Sequence, residues 1–431
     1  MEHTQAKESN NDNRDETSYS RREVLKMAAL AGTGIVVGMS GMASLFAINN
    51  GIRATGHVNP DSEDSHSEIV NKDEIPFFGV RQAGIVTPQQ MYMCFASFDI
   101  ISDNVEELKQ LLKIWTESSA DMSAGRGLRE TNRQHQLNSL DEKSTDSSAK
   151  LTITFGFGST LFSKNGIDRF GLRSQCPDEL KDIPSMPGET INSQISGGDI
   201  CVQVCTSDPT VAFHVIRKLA ASSIEMAVIR WIQTGFIDAS DGQTPRNLFG
   251  FKDGTANIEL TSEQAKENHV WVDSSKGPAW MINGTYLAAR KIRMDMEKWE
   301  QTFFRKQEAI FGRSKNSGAP FGKHDEFDAV SMREIPSDSH VWVARSTGTK
   351  ILRRSYSYFD GIDPVTGNLN AGLFFISFQQ SVRRQLVPML SLLAKHDALN
   401  PFISTISSSV FACPPGPSEG GFIGEQLFEV N

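Results

Sequence analysis

Three residues in this chain, an acid, a histidine and an arginine, have types and spacing that could do acid–base and ligand chemistry together. Asp253 lies in Gly250-Phe251-Lys252-Asp253-Gly254-Thr255-Ala256-Asn257, an acid held between glycines in a tight turn. Such a turn lets the main chain approach a flat ligand closely, although an Asp there also serves as an ordinary cap. His340 follows Asp338 and Ser339, and the pair Arg353-Arg354 begins thirteen residues after it. A lone His is more commonly a surface or core residue, but the conjunction reads differently. A histidine nitrogen can ligate a haem iron. On the other face, an acid–base group can move a peroxide proton, and a cation can stabilise the departing hydroxide. An unperturbed Asp titrates near ~3.9 against ~6.5 for His, so an Asp base predicts an acidic optimum.

These residues need a scaffold, and the hydrophobic patterning supplies one. Residues 91–100 alternate like a strand, and 105–118 carry apolar residues at helical spacing behind an Asp103 or Asn104 cap. Strands at 151–158 and 199–207, a helix at 209–226 and a strand at 228–234 complete a ferredoxin-like order. The second half repeats it loosely, with a strand at 284–294, a helix at 295–311, a strand at 373–379 and a helix at 382–394, and residues 410–413 open a Pro/Gly-rich tail. The turn-rich segment 238–245 puts the boundary near 240, giving domains 76–239 and 240–431. The polar stretch 119–149 reads as a long loop or lid.

Composition narrows the function classes. With 431 residues, 39% of them hydrophobic, the chain can bury a sizeable core. A net charge of −9 argues against a nucleic-acid partner. Five scattered cysteines are too few for a disulfide scaffold. Cys201 and Cys205 share one strand face, as a metal or redox pair or as two small buried thiols. At the front, Ser20-Arg21-Arg22-Glu23-Val24-Leu25-Lys26 precedes a charge-free stretch, 27–50, that contains four glycines. Paired arginines before a weakly apolar segment read as a twin-arginine export signal, with an uncleaved membrane anchor as the alternative for residues 1–50. Residues 51–75 are a linker. That route carries folded proteins, often with a cofactor, so it predicts a cofactor and a location in the periplasm, the cell envelope or outside the cell.

At this point GFKDGTAN, DSHVWVA, ILRRSYSY and FACPPG, in that order and with the export signal, resemble the dye-decolorising haem peroxidase family. Within it, the likeness is to the twin-arginine-exported deferrochelatase/peroxidase branch associated with iron uptake. It covers roughly residues 75–431. The resemblance implies an α+β fold of two ferredoxin-like domains with antiparallel sheets, of the dimeric α+β barrel type. It also implies one haem b per chain, bound mainly by the C-terminal half. His340 would be the iron ligand, Asp253 the distal acid–base residue and Arg353 the distal cation. Asn257 would position peroxide or water, and Gly254, Thr255 and Ala256 would lie against the porphyrin. Arg345, Ser346 and Thr347 would lie near its edge, with Arg345 the propionate partner and Arg290 and Arg293 further candidates. Arg354 would point away, since strand neighbours face opposite sides. Asp397, in KHDALNPF, matches the acid that accepts the second N–H of a ligating His, with capping of a short helix as the competing reading. Trp271, Trp280, Trp299, Trp342, Tyr356 and Tyr358 could relay electrons to bulky donors, or simply pack. No spacing around His214, His324 or His396 supports a second metal site.

Three functions follow. One is a peroxidase that uses hydrogen peroxide to oxidise organic donors or ferrous iron. Another is a protein that takes iron from haem, leaves the tetrapyrrole intact and feeds a membrane iron permease. The third is a non-catalytic haem carrier, which would need neither Asp253 nor Arg353. A homo-oligomer stays open.

Overall fold

The computed structural model describes residues 75–126, 150–238 and 243–429. The export segment and nearly all of the linker lie outside the described residues, as do residues 127–149 of the polar stretch. In the first half, β1 (Tyr92–Ile100) leads into α1 (Val105–Ser123), whose Asn104 cap accepts from Glu106 N at 2.9 Å. Next come β2 (Thr152–Gly158), β3 (Ile200–Thr206), α2 (Pro209–Ala221) and β4 (Ala227–Phe236). Asp208 caps α2 and Pro209 starts it, a proline where its missing N–H costs nothing. The second half contains α3 (Glu263–His269), β5 (Thr285–Met294), α4 (Met296–Glu300), α5 (Phe304–Phe311) and α6 (His340–Ser346). It continues with β6 (Leu352–Arg353), β7 (Tyr356–Ile362), β8 (Leu369–Gln379), α7 (Val387–His396) and β9 (Ile403–Cys413).

All the strand pairs are antiparallel, in the order β5-β9-β2-β3-β1-β4-β7-β8-β6, and β5 also pairs with β8. That last pairing closes the ring into a barrel shared by both halves, the α+β barrel architecture the sequence implies. Inward faces of eight strands converge on one core that holds Phe95, Trp231, Tyr356, Phe374 and Phe411. Phe95 stacks on Trp231 at 5.4 Å. Cys201, Cys205 and Cys413 are buried in this interior, where burial pushes the Cys201 and Cys413 thiols up. The other face of the first-half strands packs with α1 and α2 through Leu111, Trp115, Val215 and Leu219. In the second half the outer face is covered differently. There α6 and α7 stand off from the sheet and leave room for a ligand.

Several elements differ from the sequence pattern. The helix expected over 295–311 is two, α4 and α5, broken at Thr302–Phe303. The break lets both Trp299 and Phe311 turn inward, with ring centroids 5.8 Å apart, while Phe303 is left exposed. The helix expected from 382 starts as a π turn, Val382–Leu386, because Pro388 in the first turn of α7 donates no N–H to an α-helical bond. Neither α6 nor β7 is foreseen by the sequence pattern, and α1 extends five residues into the polar stretch, to Ser123.

Candidate active site

The glycine-bounded acid is held first by its own main chain. Asp253 N donates to Pro245 O at 2.8 Å, and Asn257 N closes on Gly254 O at 3.0 Å. Gly254 takes a φ of +128°, a value that side chains strongly disfavour. This turn delivers the Asp253 carboxylate into an ion pair with Arg353, the last residue of β6. Strand alternation sends Arg354 the other way, buried and bonded to Thr87 O and Gln90. Asn257 locks the two segments together. Its Nδ2 donates to Arg353 O at 2.6 Å, and its Oδ1 accepts from Arg353 N at 2.9 Å and Ile258 N at 3.0 Å. The amide is therefore engaged in holding the arginine's main chain, where the sequence reading expects it to position peroxide or water.

His340 is the first residue of α6, directly after the buried Ser339. Its Nδ1 meets Asp397 Oδ2 at 2.6 Å, at the C-terminal end of α7. The other oxygen, Oδ1, accepts from Leu399 N at 2.8 Å. Burial pushes the His340 imidazolium pKa down, but the Asp397 charge and hydrogen bond outweigh it, and the net direction is up. With Nδ1 engaged, Nε2 is the ring nitrogen left for a ligand.

His340, Asp253 and Arg353 line one cavity of about 610 Å³, within the usual range for a small-molecule site. Its walls are largely apolar: Ile292, Leu373 and Phe375 from the sheet, Val341 and Ala344 from α6, Leu390 and Leu393 from α7. Gly254, Thr255, Ala256, Asn257 and Arg345 line it as well. Ser346 and Thr347 do not. Their hydroxyls bond back to Val343 O at 2.7 Å and Ala344 O at 2.9 Å, finishing the last turn of α6. Arg290 reaches the cavity but is buried in an ion pair with Glu189. Arg293 pairs with Asp363 and takes no part in the lining. Arg345 has no acidic partner among the described residues. Beside it is Arg313, a lining cation that the sequence pattern misses, pushed down in pKa by its burial and by the Arg345 charge. A smaller cavity of about 270 Å³ adjoins at Asp253, Gly254, Asn257 and Arg353, with Gln89, Thr244, Ser355 and Ser357 in its walls. The arrangement suits a broad, mostly apolar ligand with a metal at its centre and anionic groups at one edge. Among the described residues no group of three or more His, Cys, Asp or Glu is placed to hold a bare metal ion.

Comparison with known proteins agrees with this geometry. The family profile "Dyp-type peroxidase, N-terminal" matches residues 82–237, and "Dyp-type peroxidase, C-terminal" matches 244–418. The chain is similar to a deferrochelatase of Yersinia pestis bv. Antiqua, 32% identical over 96% of each chain. It is similar also to one of Escherichia coli strain UTI89, 31% identical over 95% of this chain and 97% of the relative. A crystal structure of a DyP-type peroxidase from Streptomyces coelicolor superposes with a TM-score of 0.75 at 32% identity, covering 83% of this chain and 97% of that one. Ferric DtpA from Streptomyces lividans does so with a TM-score of 0.75 at 31% identity, covering 83% and 97%.

Proposed function

This chain belongs to the Dyp-type peroxidase family and is a haem peroxidase, and from that premise we propose that it holds one haem b in the His340 cavity and works outside the cytoplasmic membrane in haem-iron acquisition. Its electron donors would be organic compounds or ferrous iron. The observation that carries the reading is that the His340–Asp397 and Asp253–Arg353 pairs line the same cavity.

The residues fit the group. Nε2 of His340 would hold the iron, with Asp397 fixing the tautomer and the ring orientation. Arg345 and Arg313 would hold the propionates, and Ile292, Leu373, Phe375 and Leu390 would keep water from the macrocycle. When bound, haem supplies the iron at which the peroxide O–O bond is broken. The chain handles the proton and the charge. The Asp253 carboxylate accepts the proton of an incoming peroxide and returns it to the outer oxygen, which leaves as water. The Arg353 guanidinium offsets the negative charge on that oxygen as it separates. Asn257 keeps Arg353 in register with Asp253. The adjoining polar cavity admits a small hydrophilic oxidant to this pair.

A second reading, release of iron from haem with the tetrapyrrole intact, is favoured by the name deferrochelatase that the relatives carry. Haem is then a substrate in the same cavity, and the iron passes to a membrane permease. The Asp253–Arg353 pair weighs against a non-catalytic carrier. Export rests on Arg21-Arg22 ahead of the charge-free stretch. The match to the Yersinia relative, at 96% of the chain, reaches into that segment.

The test is an absorption spectrum of the haem-loaded chain before and after hydrogen peroxide. A Soret band that shifts with peroxide and returns with an organic donor supports the peroxidase reading. A band indifferent to peroxide, with metal-free porphyrin fluorescence growing in, supports iron release. Absence of haem binding overturns both.

A further inference from the structure

We propose that Glu326 is a positioning residue for the peroxide-handling acid, fixing Asp253 through the residues on either side of it. This rests on the peroxidase reading and deepens it. Glu326 lies in the segment between α5 and α6, is 8% exposed and does not line the cavity. Its Oε2 receives Lys252 Nζ at 2.6 Å, and its Oε1 receives Thr255 Oγ1 at 2.8 Å. One buried carboxylate thus grips the residue before Asp253 and the second residue after it.

The anchor is itself fixed. Arg313 donates to Glu326 O at 2.8 Å and to Gly318 O at 2.6 Å, so the cationic edge of the cavity and the acid turn share one support. The rest of the turn is tied by main-chain bonds, Asp253 N to Pro245 O at 2.8 Å and Asn247 N to Phe251 O at 3.0 Å, by Arg246, which donates to Gly250 O at 2.7 Å, and by Asn257 to Arg353; Glu326 is the carboxylate that holds the side chains flanking Asp253. Without Glu326, Lys252 keeps a charge that is 18% exposed and has lost its partner. A buried charge stripped of its partner moves the chain that carries it.

The expected effect is kinetic. A misplacement of about 1 Å in a reacting group can cost about 100-fold in rate. In the haem-loaded chain, Glu326→Gln is expected to slow the second-order reaction with hydrogen peroxide by about 10- to 100-fold per bound haem. The KM for an organic donor should stay the same, since Glu326 lines neither cavity. Glu326→Gln puts an amide beside the Lys252 ammonium, so adding Lys252→Met should recover much of the lost rate, a non-additivity that a purely structural role would not produce. In the haem-free chain, amide hydrogen exchange of residues 250–257 should speed up in Glu326→Gln while β9 stays protected. That readout does not depend on peroxidase activity. Should the parent chain fail to react with peroxide, the functional reading falls. Should the parent react and Glu326→Gln match it within twofold, or slow it with unchanged exchange at 250–257, the positioning role falls. If Glu326→Gln does not fold, Lys252→Met and Thr255→Val probe the same contacts from the other side, and full peroxide rates in both overturn the proposal.

Discussion

Asp397 gives each of its oxygens a different task. One takes the Nδ1 proton of His340 at 2.6 Å, and the other accepts Leu399 N at 2.8 Å where α7 ends and the chain turns toward β9. The sequence offers a partner for His340 and the cap of a short helix as competing readings; the carboxylate meets His340, while the short helix Asn400–Phe402 begins at Leu399 without a side-chain cap. Asp397→Asn keeps a side-chain oxygen for Leu399 but replaces the anionic acceptor of His340. Its affinity for haemin, titrated into the haem-free chain, should fall by about 10- to 100-fold. Equal affinity would show that the bond does not support the ligand. Asp253→Asn and Arg353→Leu should retain haem yet slow the stopped-flow reaction with peroxide, by about 100-fold or more each. His340→Ala with normal haem content would refute the ligand assignment. His340, Asp253 and Arg353, which the structure brings to one cavity, stand out in the sequence because few residue types could perform the chemistry proposed for them. Ser346 and Thr347 stay out of the cavity lining for a physical reason. On a helix each residue turns about 100° from the last, so closeness to His340 along the chain does not put a side chain on its face. Arg313 and Glu326 belong to no periodic pattern, and only tertiary packing brings them to the turn.

At the scale of elements, the site depends on how α5 hands over to α6. Gly312 caps α5 in the left-handed region at φ +82°, and a Cβ there would lie 2.7 Å from Ser339 Oγ. Ser339 is fully buried and directly precedes His340, so this contact sets where α6 begins. Gly312→Ala should therefore act twice. It strains the cap, at about 1–3 kcal/mol of folding stability, and it pushes α6 and its histidine off position. A lower melting temperature of the haem-free chain together with weaker haemin binding is the expected pair of results. An unchanged melt would show that Ser339 yields without cost. The same scale explains which elements the sequence reveals. Long strands such as β1, β3 and β5 announce themselves by runs of apolar residues. The seven-residue α6 is too short to show a period, and the break between α4 and α5 answers to the packing of Trp299 and Phe311, which local propensity does not encode.

At the scale of the whole molecule, the barrel joins what the sequence presents as two loosely repeated halves. The closing contact, β5 on β8, runs from Tyr286↔Gln379 to Arg293↔Gly372, a long-range register that local patterning cannot specify. The closure also builds the cavity wall, because Ile292, Leu373 and Phe375 face the ligand while Leu287, Ala289, Phe374 and Ile376 face the barrel core. If Asp253 takes the acid–base role proposed for it, the protein works in acid and its barrel must resist acid too. Asp99 on β1 shows the limit of that resistance. Its oxygens meet Lys164 at 3.0 Å and Arg230 of β4 at 3.1 Å, and Lys164 and Arg169 go on to the buried Asp199. Burial pushes the Asp99 carboxyl up, but Lys164 and Arg230 outweigh it and hold it below its ordinary value. A carboxylate held low when folded stabilises the fold above the unfolded pKa of about 3.9, and that contribution is lost as pH falls through the lower folded value. Asp99→Asn should therefore melt earlier than the parent at pH 7, by about 1–2 °C for an effect near 1 kcal/mol in a fold of this size, and the gap should close at the acid end, below about pH 4. Calorimetry across that range distinguishes the cases, since a gap that persists unchanged at low pH would mean that Asp99 stabilises the barrel by shape alone and not by its charge.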